Sequence, residues 1–351
     1  MNRLPEASWP SLDHDRRRTL AALFRGIASV AVLGGLQGCG GGGGDAPSPA
    51  PEPTPPPTGP IAAQMTVPIP VGYDADRLAA FNRLNEIRLS AGLGMLSQNV
   101  LLDQAAQAHA EWIVANDSFT HVEVAGTPGF TGAHWWDRAE AAGYVPAEGE
   151  EVMAAPAQGS GGVDALVSSV YHRSGILAFE PVDVGIGWSG GAAADASLPL
   201  VIDVTRPGTD GVRGVGQSAQ PGIDGVSIWP VDGASGVALR LGKEAPNPVP
   251  TQDVSTLGMP VSVIVDEETT ISVDSFVVVD AATGIAVQGQ ILVNANDPNL
   301  LLPRSFAAFV PLMPLAANTV HVVTFTGAAT GFLTGVRRSI QRSWSFTTSG
   351  G

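Results

Sequence analysis

The stretch that decides the fold of the first half of the chain is LNEIRLSAGLGML, residues 84–96. Apolar residues recur at helical spacing into this stretch: Leu78, Phe81, Leu84 and Ile87. Asp74 or Asp76 can cap the start of such a helix, and Gly92 supplies its stop. The pattern predicts an amphipathic helix that buries one face.

Outward from this helix, the pattern predicts a mixed block of helices and strands. Ser97 is the expected cap of a second helix, whose apolar stripe runs to Trp112. A later helix is expected from Val163 to near His172. Two apolar runs then read as buried strands, Val182–Trp188 and Leu198–Val204.

The second half of the chain shows no persistent helical period. Short β-rich runs alternate with turn residues, which is typical of a β-sandwich. The clearest runs are Val261–Val265, Ser275–Val279, Ile285–Val293, Val320–Thr326 and Trp344–Thr348. Gly 43 and Pro 28, with only 15% charged residues, also favour short, turn-rich elements. The predicted fold class is α+β, with a domain of mixed helices and strands over 73–206 and an all-β domain over 222–349.

The N-terminus resembles a bacterial lipoprotein signal. Arg16 to Arg18 precede an apolar run over 20–36, which ends in Leu-Gln-Gly before Cys39. The resemblance implies that residues 1–38 are removed and that Cys39 is lipidated. The run is shorter than the roughly 20 residues that span a bilayer, which argues against a permanent transmembrane helix.

After Cys39, residues 39–72 are rich in Gly and Pro and read as a tether. We therefore expect an exported protein in the bacterial cell envelope, anchored to a membrane through Cys39. Gly40 stands where an aspartate often signals inner-membrane retention, which favours the outer membrane. The net charge of −15 argues against a nucleic-acid partner.

Several motifs of the first block, taken in order, are similar to those of bacterial CAP (SCP) domains, the family of cysteine-rich secretory proteins and plant pathogenesis-related proteins. The opening stretch matches L-N-x-x-R followed by G-L. The later pieces are His109 in its helix, Ser118 to His121, Asp137-Arg138, Ala142-Gly143-Tyr144, Gly149-Glu150-Glu151, His172-Arg173 with Ile176-Leu177, and Val184 to Gly187.

This resemblance implies a three-layer α-β-α sandwich with a cleft of histidines and acidic residues. The implied cleft residues are His121, Glu150 and His172. Two neutral imidazoles can hold zinc or another divalent metal, so His121 and His172 are the candidate metal ligands. Glu151 occupies the usual asparagine position, and the acidic cluster around it reads by composition as a solvated loop.

The end of the second block resembles a bacterial Ig-like module. The resemblance rests on residues 314–319, the strand that follows them and Trp344 to Thr348.

Three other signals have simpler interpretations. His109 lies on an apolar stripe, which favours a packed core histidine over a cleft residue. His134 precedes two tryptophans and suits either local packing or a ligand-facing rim. Gly187 to Gly191 satisfy G-x-S-x-G, but a strand ending in a turn explains Ser189 better than a nucleophile, because no helix pattern follows.

Two functions remain open from the sequence. The first is a binding protein whose cleft holds a lipid, a glycan or a wall fragment, and we favour it because no nucleophile with an evident base can be assembled. The second is a metal-dependent hydrolase of envelope peptides, esters or glycans, with His121 and His172 on the metal and Glu150 as general base.

Overall fold

The structure is a computed structural model that describes residues 63–155, 157, 159–189, 199–207 and 225–351. These residues all belong to one compact unit, Pro57–Gly351. The predicted signal over 1–38, the lipidation site Cys39 and the tether up to residue 62 lie outside the described residues. Within the described ranges, no helix is both long enough and apolar enough to cross a membrane.

The last residues of the predicted tether lie against the first block. The Gln64 side chain donates to the carbonyl of Val182, at 3.2 Å. The Gln98 side chain both accepts from and donates to the backbone of Val71, at 2.7 and 2.9 Å. Residues 63–72 therefore pack on the domain.

Five helices and four strands form the first block in the described ranges. The helices are α1 (Ala75–Ser90), α2 (Val100–Asn116), α3 (Trp135–Ala141), α4 (Gly159–Val167) and α5 (Tyr171–Ile176). The strands are β1 (Ser97–Gln98), β2 (Pro146–Ala154), β3 (Asp183–Trp188) and β4 (Leu200–Pro207). As predicted, Asp74 caps α1, because its side chain accepts from the Arg77 amide at 2.8 Å. The turn after α1 passes through Gly92, whose φ of 77° suits glycine.

Two helix boundaries differ from the sequence prediction. Asn99, not Ser97, caps α2, and Ser97 belongs to β1 because it pairs with β3. Helix α4 ends at Val167, and the short helix α5 begins at Tyr171. His172 therefore lies within α5 and does not follow the end of a helix.

Asn85 and Arg88 explain why the opening stretch is decisive. The Asn85 side chain donates to the Leu96 carbonyl and accepts from the Leu96 amide, so it closes the turn after α1. Arg88 is fully buried and donates to the carbonyls of Gly94, Ile176 and Ala178. These two polar side chains tie α1 to the loop after it and to the end of α5.

The sheet of the first block has the order β1-β3-β4-β2, in which only the β1–β3 pair is parallel. Helices α1, α4 and α5 cover one face, and α2 and α3 cover the other. Alternate residues of β2 and β4 enter the two cores. Val152 and Ile202 pack toward α1 and α4, whereas Met153 and Val201 pack against α2. This is the helix–sheet–helix layering expected from the sequence.

The second block is a sandwich of two four-stranded sheets, ordered β5-β7-β10-β9 and β6-β12-β11-β8. Its strands are β5 (Val226–Trp229), β6 (Ala234–Val237), β7 (Val261–Val265), β8 (Thr269–Asp280), β9 (Gly289–Val293), β10 (Phe306–Pro311), β11 (Val320–Gly331) and β12 (Arg337–Thr348). Side chains from both sheets form one core, including Val263, Phe309 and Phe325. The predicted all-β architecture is confirmed, although the run that forms β10 was not singled out.

The two blocks share a continuous apolar core. Leu241, Ile264 and Phe306 from the second block belong to the same buried cluster as Ile176 and Phe179 from the first. The blocks are therefore packed together as parts of one folded body.

Helix α5 carries the polar contacts of this junction. The Glu244 carboxylate accepts from the backbone amides of Val170 and Tyr171, so a residue of the second block satisfies the start of α5. The Tyr171 hydroxyl donates to Asp297 at 2.6 Å, and Arg173 donates to the Pro260 carbonyl at 2.8 Å.

We predict that residues 57–351 unfold in a single transition and that Glu244→Ala lowers the free energy of unfolding by about 1–3 kcal/mol, because two buried amides lose their acceptor. Urea denaturation followed by fluorescence measures both quantities. The matched control is Glu86→Ala, which removes a glutamate with a 69% exposed side chain and should change stability much less. Two separate unfolding transitions would contradict the shared core.

Candidate functional site

Strand β2 separates its two central glutamates. Glu150 and Glu151 are consecutive residues of a regular strand, in which Glu150 pairs with Val204 and Glu151 with Asp203. Because side chains alternate along a strand, the two carboxylates leave opposite faces of the sheet. Glu151 faces α2 and α3, whereas Glu150 faces α5.

Glu151 lies at the centre of a buried polar cluster on the α2/α3 face. The Arg138 guanidinium of α3 donates to one carboxylate oxygen, and Nδ1 of His121 lies 2.8 Å from the other. Burial alone would raise the pKa of Glu151, but the Arg138 charge, followed by those of His109 and His121, holds that pKa well below its usual range. Glu151 is therefore an ionised carboxylate in the protein interior.

His121 connects this buried charge to the surface. Its side chain is 23% exposed, whereas that of Glu151 is 1% exposed. With Nδ1 directed at the carboxylate, the ring is fixed in orientation and its Nε2 edge is the one turned away from Glu151. The pair has the geometry of a histidine oriented by a carboxylate. The imidazole of such a pair can accept or donate a hydrogen bond to a ligand.

His109 and Glu123 complete the buried cluster. Nδ1 of His109 lies 3.0 Å from Glu123 Oε1, and Nε2 lies 3.0 Å from the Thr120 carbonyl. Glu123 also accepts from the amide of Thr131, at 2.7 Å. Both ring nitrogens of His109 are thus engaged within the fold, as the core-histidine interpretation predicted. The cluster fixes the loop that carries His121.

Asp203 of β4 adds a carboxyl group beside Glu151. It is fully buried, and neither oxygen has a hydrogen-bond partner among the described residues. Burial, reinforced by the neighbouring Glu151 charge, raises the pKa of Asp203 well above its usual range. Burial and the neighbouring Glu151 charge therefore both favour the protonated form of Asp203 over its ionised form.

Glu150 occupies a different environment on the other face. Its carboxylate lies against Gly175 of α5, where an added Cβ would come within 2.4 Å of Oε2. Burial raises the pKa of Glu150 to about 7, and the nearby His172 opposes that increase. His172 itself contacts Ser169 Oγ and Glu244 Oε1 through Nδ1, at 2.9 and 3.2 Å.

The structure corrects the grouping expected from the sequence. It brings Glu150 near His172, but it places His121 with Glu151 on the opposite face of the sheet. His121, Glu150 and His172 therefore do not line one cleft. The acidic cluster taken as a loop is part of β2, and strand alternation is the physical reason for the separation.

The candidate metal ligands do not meet either. His121 and His172 lie on opposite faces of the sheet, so they do not fit one zinc ion or other divalent metal. In the described parts of the chain, no group of three or more His, Cys, Asp or Glu side chains is arranged to hold a metal.

His134 and Ser189 have local roles in the described structure. His134 caps α3 and stacks on Trp136, with ring centroids 4.5 Å apart. The carbonyls of His121 and Ala133 both accept from Arg138 Nη1, so the backbone that enters α3 lies close to the loop of His121. Ser189 directly follows β3, and its amide donates to the Pro199 carbonyl at 3.4 Å.

The first block of the chain is similar to a known protein family. Residues 81–201 match the model of the CAP family, described as the cysteine-rich secretory protein family. The first block contains a CAP domain. The match covers about a third of the chain and lies within the predicted domain over 73–206.

Two solved structures similar to this chain come from bacteria. One is an extracellular protein containing an SCP domain from Bacillus anthracis, with 19% identity and a TM-score of 0.31 over 37% of this chain and 40% of that one. The other is an outer surface protein from Borrelia burgdorferi, with 18% identity and a TM-score of 0.31 over 36% of this chain and 89% of that one. The chain thus spans less than half of the Bacillus protein. No curated protein matches the chain.

Sequence reasoning did not assign roles to three residues of the CAP domain's polar cluster: Glu123, Arg138 and Asp203. Asp203 carried a readable signal, because it interrupts the apolar run Leu-Val-Ile-Asp-Val of a predicted buried strand. Arg138 was noted only as part of a motif. A buried Arg138 requires a carboxylate partner. That partner is Glu151, and the sequence alone does not reveal the pairing.

We predict that Asp203→Asn stabilises the protein at pH 7. Because the folded-state pKa is raised, the wild type loses stability as pH rises above the unfolded value of about 4, and an amide does not titrate. The free energy of unfolding of the variant should therefore exceed that of the wild type by more at pH 7 than at pH 4.

Urea denaturation between about pH 4 and pH 7 measures this difference, which should shrink toward the acidic end. Asp164→Asn, at a carboxylate with a 49% exposed side chain, is the control and should show no such growth with pH. A constant difference for Asp203→Asn would show that the pKa of Asp203 is not raised in the folded state.

Proposed function

We propose that this chain is an exported, lipid-anchored envelope protein whose CAP domain binds a glycan or a glycan-bearing wall fragment at the surface around His121. The observation that carries the proposal is the pairing of a partly exposed histidine with a buried, ionised glutamate, fixed by Arg138. Ordered polar groups at a surface are what a specific ligand site requires.

The neighbourhood of His121 suits a sugar. A sugar ring has hydroxyl groups that form hydrogen bonds and a C–H face that packs on aromatic rings. His121 supplies the polar group, and the half-buried stack of His134 on Trp136 at the start of α3 supplies an aromatic surface. A glycan therefore fits this surface better than a lipid chain, which would need a deep apolar cavity.

Binding is favoured over catalysis by the arrangement of the second histidine. Ser169 and Glu244 both approach Nδ1 of His172, whereas a catalytic triad needs the serine and the acid on different ring nitrogens. The metal-dependent hydrolase considered from the sequence required His121, His172 and Glu150 in one place. Their separation by the sheet removes the support for that mechanism.

The sandwich and the N-terminal segment complete the proposal. The two mostly antiparallel sheets support an Ig-like module. The core that this sandwich shares with the CAP domain supports a role in holding that domain in a fixed orientation. Cys39 with the tether would attach this rigid body to a membrane of the envelope.

We expect residues 57–351 to bind peptidoglycan-derived glycan fragments saturably in calorimetric titrations. His121→Ala and Trp136→Ala should each weaken binding about tenfold or more, equivalent to the loss of a well-placed contact. His172→Ala should bind as the wild type does, because its side chain lies on the other face of the sheet. Thermal unfolding of each variant shows whether the fold is kept.

The titrations distinguish the two arrangements of the site. Equal losses for His121→Ala and His172→Ala would contradict a site on the α2/α3 face and return the argument to a single cleft. Absence of binding by the wild type to every wall fraction would contradict the glycan proposal.

We expect Cys39→Ser to abolish lipidation. Cells labelled with radioactive palmitate should incorporate label into the wild-type protein and not into the variant, and the variant should move from the membrane fraction to the soluble fraction. Label retained by Cys39→Ser would show that Cys39 is not the anchor.

A further inference from the structure

The hairpin that joins β11 to β12 ends in an apolar tip. The connecting loop, residues 332–336, reads Phe-Leu-Thr-Gly-Val. Its three large apolar residues, Phe332, Leu333 and Val336, are 61%, 63% and 69% exposed. Loops of this length are normally polar, so a contiguous exposed patch of large apolar residues indicates a surface that meets another phase or partner.

The tip is an ordered feature of the fold. The Gly331 amide donates to the Val336 carbonyl at 2.9 Å, and the Gly335 amide donates back to Gly331 at 2.8 Å. The Phe332 amide donates to the Glu268 carbonyl in the turn before β8. Gly335 has a φ of 65°, which suits a residue without a side chain. The backbone thus presents the three side chains outward in a fixed arrangement.

Basic residues surround the tip. The Arg304 guanidinium lies 3.9 Å from the centroid of the Phe332 ring, and the exposed Arg337 and Arg338 follow the loop directly. These are three of the six Lys and Arg residues in 225–351, in a chain with 18 basic and 33 acidic residues. Positive charge is therefore concentrated around the tip, although the protein as a whole carries a net negative charge.

The acidic residues nearest the tip belong to the turn between β7 and β8, over 266–268. Glu267 is directed inward, where its carboxylate accepts from the Phe179 amide. Asp266 accepts from the Glu268 amide within its own turn. Arg337 and Arg338 are exposed and begin β12 directly after the apolar loop, and the Arg338 guanidinium donates to the Gly225 carbonyl at 3.2 Å.

From this combination we infer that the β11–β12 tip is a docking surface for an anionic phospholipid bilayer. Phe332, Leu333 and Val336 enter the interfacial region, and Arg337 and Arg338 contact the lipid phosphates. Apolar side chains flanked by cations are the arrangement by which a peripheral protein binds such a surface. This inference goes beyond the proposed function and does not depend on a glycan ligand or on lipid at Cys39.

Vesicle co-sedimentation tests the inference with residues 57–351, the compact unit that lacks both Cys39 and the apolar run over 20–36. The vesicles are phosphatidylcholine alone or phosphatidylcholine mixed with phosphatidylglycerol. The wild type should bind the anionic vesicles about tenfold more strongly than the neutral ones, and added salt should reduce that binding. The double variant Phe332→Ser/Leu333→Ser should lose binding to both.

Two further variants separate the contributions. Arg337→Gln/Arg338→Gln should remove the preference for anionic vesicles while the apolar contribution remains. Ile285→Ser is the matched control, because Ile285 is 68% exposed and follows β8 at the end opposite to the one that pairs with Gly331. This control should bind as the wild type does.

Three results would overturn the inference. They are no vesicle binding by the wild type, full binding by the Phe332→Ser/Leu333→Ser variant, or vesicle binding that is equally reduced by Ile285→Ser. A concentration-dependent dimer that only Phe332→Ser/Leu333→Ser abolishes, without vesicle binding, would instead assign the tip to contact between two copies of the chain.

Discussion

A carboxylate buried among apolar side chains keeps its charge only if a cation stays beside it, and in the CAP domain that cation is Arg138. The same guanidinium donates to Glu151 and to the carbonyls of His121, Gly132 and Ala133. Arg138 therefore neutralises the charge of Glu151 on β2 and fixes the backbone of the loop that carries His121. Removal of either charge would take from the other its closest buried partner of opposite charge, which is destabilising. This ion pair, together with the His109–Glu123 pair, positions His121.

The two faces of the sheet have separate uses as a result. On the α2/α3 face, the ion pair supports a polar cluster that reaches the surface at His121. On the other face, α5 and the second block enclose Glu150 and His172, and the shared core extends into the sandwich. Residues that are neighbours in the sequence motif thus belong to the polar cluster of His121 on one side and to domain packing on the other.

Much of the architecture could be predicted from the sequence. The apolar spacing around 84–96 predicted α1, with Asp74 as one of two candidate caps. The β-rich runs predicted the sandwich. Those signals are local, because they depend on residues a few positions apart. The strand that contains Glu150 and Glu151 was missed because charged residues read as a solvated loop, and its cross-strand and ionic partners are distant in sequence. Arg138 and Asp203 become meaningful only once β2 and β4 are paired.

The acceptor that satisfies the start of α5 lies more than seventy residues further along the chain, at Glu244. Protein chains are synthesised from the N-terminus, so Val170 and Tyr171 leave the ribosome well before this acceptor does. The start of α5 consequently lacks this acceptor while the CAP domain is the only part of the chain that has been made. The contacts that join the two blocks therefore form only after both blocks have been synthesised, so the junction is the last part of this body that can be completed.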